Sequence, residues 1–159
     1  MPRGGVAFSE AYLDGESEQR FGTALAEFPR EELFLSTKLG GYLRQPGASA
    51  MPGGGDYILD YTYDTALRSI ERSLARRKVD RLDAVYIHDR DPGFAGTAYR
   101  DELESAAEGA FVALRRLKEE NVVGAIGVAS MDWRAQTARF GTKQTITLIS
   151  VSTTSKPLH

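Results

Sequence analysis

Three short apolar runs alternate along the chain with stretches of helical spacing, and each ends on a polar residue able to do chemistry. They are Leu33 to Lys38, Leu82 to His88 and Val123 to Ser130, closing on a lysine, a histidine and a serine. Around them apolar residues recur three and four positions apart, the period of a helix with one buried face. Ser17 to Phe28 predicts a helix with Ser17 as N-cap and Phe21, Leu25 and Phe28 on one side, broken at Pro29. A second predicted helix starts at Asp64, a natural N-cap, and runs to Arg77 with Leu67, Ile70 and Leu74 facing inward. Glu102 to Glu120 predicts a third, its stripe made by Ala107, Ala110, Phe111, Leu114 and Leu117. Gly40 to Gly55, rich in glycine and holding Pro46 and Pro52, reads as a long loop. Thr145 to Val151 has the pattern of one further strand, and Ser152 to Pro157 reads as a frayed tail.

Such alternation calls for a parallel sheet with right-handed crossovers. The strands are apolar throughout, which suits a sheet covered on both faces. In a parallel barrel the carboxyl ends of the strands gather on one rim, where reactive groups meet. Lys38 and His88, delivered by successive strands, are therefore expected in one site. A complete eight-unit barrel typically needs about 250 residues, and this chain has 159. An open doubly wound sheet would need a glycine-rich fingerprint directly after its first strand, and the sequence has none.

Composition narrows the partners more than the activity. A net charge of −2 gives no general attraction to nucleic acid or acidic lipid. Cysteine is absent, which removes disulfides, thiolate nucleophiles and Cys-based metal sites. No apolar run approaches the roughly 20 residues that cross a bilayer, and Met1 to Gly5 lacks the apolar core of a secretion signal. A cytoplasmic protein that contacts neither membrane nor nucleic acid is the expectation. Gly53-Gly54-Gly55 lacks the lysine and helix start of a phosphate cradle. Asp89 and Asp91 lack a second histidine for a metal, since His159 is the last residue, and no metal site is expected. Arg76-Arg77-Lys78 and Arg115-Arg116 fall on polar helix faces and read as solvated. Tyr57, Tyr61 and Tyr63 read as packing where the glycine loop enters the second helix.

Several ordered segments resemble one family. Tyr12-Leu13-Asp14-Gly15-Glu16-Ser17-Glu18 is similar to the Y-G-x-G-x-S-E segment of the aldo-keto reductase superfamily. Ser36-Thr37-Lys38 resembles its S-T-K strand end, and Ile87-His88-Asp89 its I-H-D. Asp60-Tyr61-Thr62-Tyr63-Asp64, Leu82 to Asp89, and Ala125 to Val128 followed by Trp133 resemble one branch, that of D-threo-aldose 1-dehydrogenases (L-fucose dehydrogenases) and pyridoxal 4-dehydrogenases. The resemblance covers residues 6 to 134 and implies a TIM-type barrel that moves hydride between NADP or NAD and a carbonyl or sugar substrate. It implies Tyr12 as proton donor and acceptor, Lys38 as its activator and His88 as the residue that orients the substrate oxygen. Ser130 is the implied cofactor contact, with Met131 the alternative if the alignment slips by one. The roles make chemical sense. A free tyrosine titrates near pH 10, and an ammonium about 4 Å away favours tyrosinate by roughly 4 kcal/mol at an effective dielectric of about 20.

The chain also departs from the pattern. The family carries an Asp five residues before its Tyr, and Ala7 stands there, which weakens the implied activation of Tyr12. Glu10 is the nearby carboxylate in sequence, and Leu13 replaces the glycine that follows the Tyr. The family's first strand and last three or four units have no counterpart, so the chain reads as truncated: a partial barrel over 1–134 and a divergent tail over 135–159. The expected fold is therefore α/β, roughly the N-terminal half of a (β/α)8 TIM-type barrel. Its open edges favour self-association. The alternative to a reductase is a non-catalytic half-barrel that pairs with itself or with a longer relative.

Overall fold

The structure, a computed structural model of the chain, describes residues 6–10, 17–43, 57–88, 98–129 and 146–149. In chain order its elements are β1 (Val6–Glu10), α1 (Ser17–Ala24), β2 (Leu33–Leu39), β3 (Gly41–Leu43), β4 (Tyr57–Leu59), α2 (Tyr63–Arg77) and β5 (Leu82–His88). Then come α3 (Tyr99–Ser105), a π-helical segment (Ala106–Ala110), α4 (Phe111–Glu119), β6 (Val123–Ala129) and β7 (Ile146–Ile149). The strands β1-β2-β5-β6-β7 form one sheet in that order, every neighbouring pair parallel. Each strand is added beside the one before it. With right-handed crossovers that order puts the connecting helices on one face and leaves the other as an inner, barrel-side face.

The helix side holds the core. Leu35 and Leu39 of β2, Val85 and Ile87 of β5, and Ile126 of β6 are buried against Ile70 of α2 and Leu114 of α4. At the amino end of the sheet a side chain takes over from the ladder. The β2–β5 pairing starts at Ser36 with Ala84, and just before it the Leu35 N–H donates to the Asp83 carboxylate at 2.7 Å. Arg30 grips the same carboxylate at 2.9 Å.

Several predicted boundaries move, each for a local reason. The first helix ends at Ala24, and Phe28 is 55% exposed, because the chain already turns at Leu25, whose carbonyl accepts the Phe28 N–H. The second begins at Tyr63, with Thr62 at the N-cap position in place of Asp64 and no side-chain capping bond. Asp60 accepts the Thr62 N–H at 2.9 Å and the Thr65 hydroxyl at 2.8 Å. The third helix starts at Tyr99, and its π-helical segment adds a residue to one turn. That shifts the buried phase, so Ala106 and Ala110 are covered while Ala107 is half-buried. The wide turn lets Gly109 lie against the Tyr61 carbonyl, where a Cβ would come within 2.3 Å of the oxygen. Finally, β3 and β4 pair antiparallel at the two ends of the glycine-rich segment, Gly41 with Leu59 and Leu43 with Tyr57.

Candidate active site

Register places Lys38 and His88. Lys38 pairs with Tyr86, and His88 lies two residues further along β5. Paired residues on neighbouring strands share a face, as do residues two apart on one strand, so Lys38, Tyr86 and His88 stand on the inner face. A strand spacing of about 4.8 Å and a rise of about 6.6 Å over two residues separate the Lys38 and His88 Cα atoms by about 8 Å. Two cation-forming groups of that reach can act on one small molecule. On β6 the matching inner positions are Ala125, Gly127 and Ala129, which carry no bulk beyond a methyl.

Tyr86 is a phenol on the same face, but its chemistry points the other way. It is buried, and burial pushes its hydroxyl above the usual tyrosine range, the opposite of what proton transfer near neutral pH requires. Tyr61 bears on the site from behind. Its hydroxyl donates to the His88 carbonyl oxygen at 2.7 Å.

On the helix side, directly behind the strand that carries Lys38, lies a buried charge cluster. The Glu18 carboxylate is 1% exposed. It accepts hydrogen bonds from the Thr37 hydroxyl at 2.8 Å, the Ser73 hydroxyl at 3.2 Å and Arg76 Nε at 2.7 Å. Arg77 Nε sits 3.3 Å from its other face. Burial by itself raises the Glu18 pKa, but the Thr37 bond and the charges of Arg76 and Arg77 outweigh it and hold the group below the ordinary carboxylate range. The Arg77 of the basic run is thus not solvated as its sequence context suggests; it is buried and faces Glu18.

Of the sequence-derived site residues, the structure brings Lys38 and His88 together on one face. Tyr12 and Ser130 lie outside the described residues. Glu10 pairs with Thr37 and Ala7 with Phe34, so neither shares the register of Lys38. Sequence reasoning missed the role of Glu18; it read Tyr61 as packing at the entry to the second helix, which its burial bears out, but not its bond to the His88 carbonyl. The signal for Glu18 was a lone acid in the first turn of a helix whose partners lie in two other elements. A cavity of about 210 Å³, lined by Phe21, Leu25, Arg30, Leu33, Leu35 and Val79, sits on the helix side near the amino end of β2. It is remote from the Lys38–His88 face.

Parallel strands added in order, with helices on one face and polar groups at the strand ends, define part of a TIM-type (β/α)8 barrel. Residues 7–158 match the Aldo/keto reductase family, and the chain belongs to that family. It is 36% identical over 129 residues to a D-threo-aldose 1-dehydrogenase from Pseudomonas sp, covering 74% of this chain and 36% of that protein. To the D-arabinose 1-dehydrogenase of Saccharomyces cerevisiae it is 32% identical over 119 residues, covering 72% of this chain and 29% of the relative. The chain thus spans about a third of the length of these curated relatives. It shares its fold with the aldo-keto reductase AKR11C1 from Bacillus halodurans in its holo form, with a TM-score of 0.66 and 20% identity. That likeness covers 89% of this chain and 43% of the other.

Proposed function

We propose that this chain carries the lysine–histidine half of a nicotinamide-dependent oxidoreductase site that acts on an aldose, an aldehyde or the corresponding alcohol. One observation carries the reading: Lys38 and His88 end adjacent parallel strands on the same inner face, about two residues apart in register. In it Tyr12 gives or takes the proton at the substrate oxygen, the Lys38 ammonium stabilises the tyrosinate, and the His88 ring donates a hydrogen bond to the same oxygen. The small inner residues of β6 beside His88 fit a flat ring, and Ser130 supplies a polar contact to the cofactor. A bound nicotinamide, from NADP or NAD, supplies or accepts the hydride. Dehydrogenase relatives make a sugar the first substrate to try, with D-arabinose and L-fucose the practical choices.

Fluorescence titration of the full chain with NADPH and with NADH, followed by turnover with those sugars, tests the reading. Binding below millimolar cofactor, with turnover lost in Lys38→Met, supports it; no binding at millimolar concentration refutes it. Phe34 favours a second reading. It is 44% exposed two positions before Ser36 on the inner face of β2, and β1 and β7 stand at the edges of the sheet, an arrangement that suits pairing with another copy of the chain. Light scattering across a concentration series separates the two, since a strictly monomeric folded chain removes the second.

A further inference from the structure

We propose that Tyr61 is a positioning residue that fixes the carboxyl ends of β2 and β5 relative to each other, and through them Lys38 and His88. The need for such a tie follows from the ladder. Ladder pairing between β2 and β5 stops at Leu39 with Ile87, so His88 stands one residue beyond the last β2 pair, while Ala129 of β6 pairs with it on the other side. Tyr61 spans the gap. Its hydroxyl donates to the His88 carbonyl oxygen at 2.7 Å. Its ring lies over Gly40, two residues past Lys38, where a Cβ would fall 2.3 Å from Tyr61 Cε1. Gly40 adopts φ +120°, a conformation suited to glycine, and its carbonyl accepts the N–H of Asp60, the residue before Tyr61.

The tie is itself rigid. Tyr61 is 4% exposed. Asp60 accepts from Thr62 and Thr65, which fixes the turn that leads from Tyr61 into α2. Gly109 packs on the Tyr61 carbonyl from the third helix. The phenol touches neither Lys38 nor the His88 ring through any of these contacts; it acts on the strand ends that carry them. Because misplacing a catalytic group by about 1 Å can cost about 100-fold in rate, the spacing of those ends matters more than the strength of one hydrogen bond.

The inference rests on Lys38 and His88 forming one site, and its test is chosen to be independent of turnover. The chain has two histidines, His88 and His159, so a His159→Gln background leaves a single imidazole signal in a ¹H–¹³C correlation spectrum. Tyr61→Phe keeps the ring over Gly40 and removes the bond to His88. It is expected to move the His88 ring cross-peak, whereas Tyr63→Phe, whose hydroxyl accepts from Arg116 instead, is expected to leave it in place. Gly40→Ala, which drives a methyl into the Tyr61 ring, is expected to move the same peak and serves should Tyr61→Phe not fold. An unmoved peak in the folded variant, or equal shifts in Tyr61→Phe and Tyr63→Phe, overturns the proposal. If the unaltered chain turns over sugar, Tyr61→Phe should lower kcat about tenfold with KM changed less than about twofold, and an unchanged kcat also overturns it. A chain without turnover sinks the proposed function alone, and the imidazole signal still decides Tyr61.

Discussion

Glu18→Gln is expected to be among the most damaging single-atom changes this fold can suffer. The side chain keeps its volume and can still accept from Thr37, so the perturbation is the loss of one buried negative charge. Arg77, at 3% exposed, is then left facing a neutral amide. Arg76 is 30% exposed and can turn toward water, so it loses less. Breaking a buried pair by removing one partner costs about 3–5 kcal/mol; with one of the two arginines able to relax, the lower end, about 3 kcal/mol, applies. With a urea slope of about 2 kcal/mol/M, the unfolding midpoint followed by circular dichroism should fall by about 1.5 M. Glu120→Gln is the control. Its pair with Arg116 is an exposed i,i+4 contact, screened by water and salt and of little weight. The Glu18 deficit also has a pH signature. The folded Glu18 pKa lies below the ordinary 4.5, so its contribution is complete above that value and is lost as pH falls through the depressed folded one. The difference between the native chain and Glu18→Gln should therefore shrink in acid. A Glu18→Gln midpoint that drops no further than that of Glu120→Gln would refute the reasoning.

Three further perturbations follow from the packing. Leu114→Ala empties a fully buried site and should cost about 2–5 kcal/mol in urea denaturation, whereas Val112→Ala, 47% exposed on the same helix, should stay within about 0.5 kcal/mol. Gly109→Ala forces a methyl against the Tyr61 carbonyl and should cost about 1–3 kcal/mol by overpacking, read the same way. Phe34→Ser should leave the urea midpoint nearly unchanged, because the ring is already 44% exposed; if a second copy covers that face, the same change lowers the associated fraction in light scattering.

The strands that matter most were legible from sequence because a continuous apolar run needs no tertiary context. The observed β2, β5 and β6 end at Leu39, His88 and Ala129, each within a residue of the run ends Lys38, His88 and Ser130. Helix interiors were legible for the same reason, through Ile70, Leu114 and Leu117. What stayed hidden depends on contacts distant in sequence. The π-helical turn that exchanges Ala107 for Ala106 brings Gly109 against the backbone of Tyr61, a contact between segments far apart in sequence. Glu18 and Arg77 look like surface charges in any local window, and only the packing of α1 on α2 buries them together. Of the site, the lysine and histidine positions were readable as strand ends; the brace behind them was not, since Tyr61 serves it through a main-chain oxygen 27 residues away.

The shared inner face of Lys38 and His88 can be probed directly, because the chain has no cysteine to interfere. Lys38→Cys with His88→Cys would be treated with a short bifunctional thiol reagent, beside a control in which Arg115→Cys on the outer helix α4 replaces the second position. The expected result is one intramolecular bridge by mass spectrometry in the first pair and two single adducts in the control. Two single adducts on Cys at 38 and 88, with no bridge, would contradict the placement on which the proposed site depends.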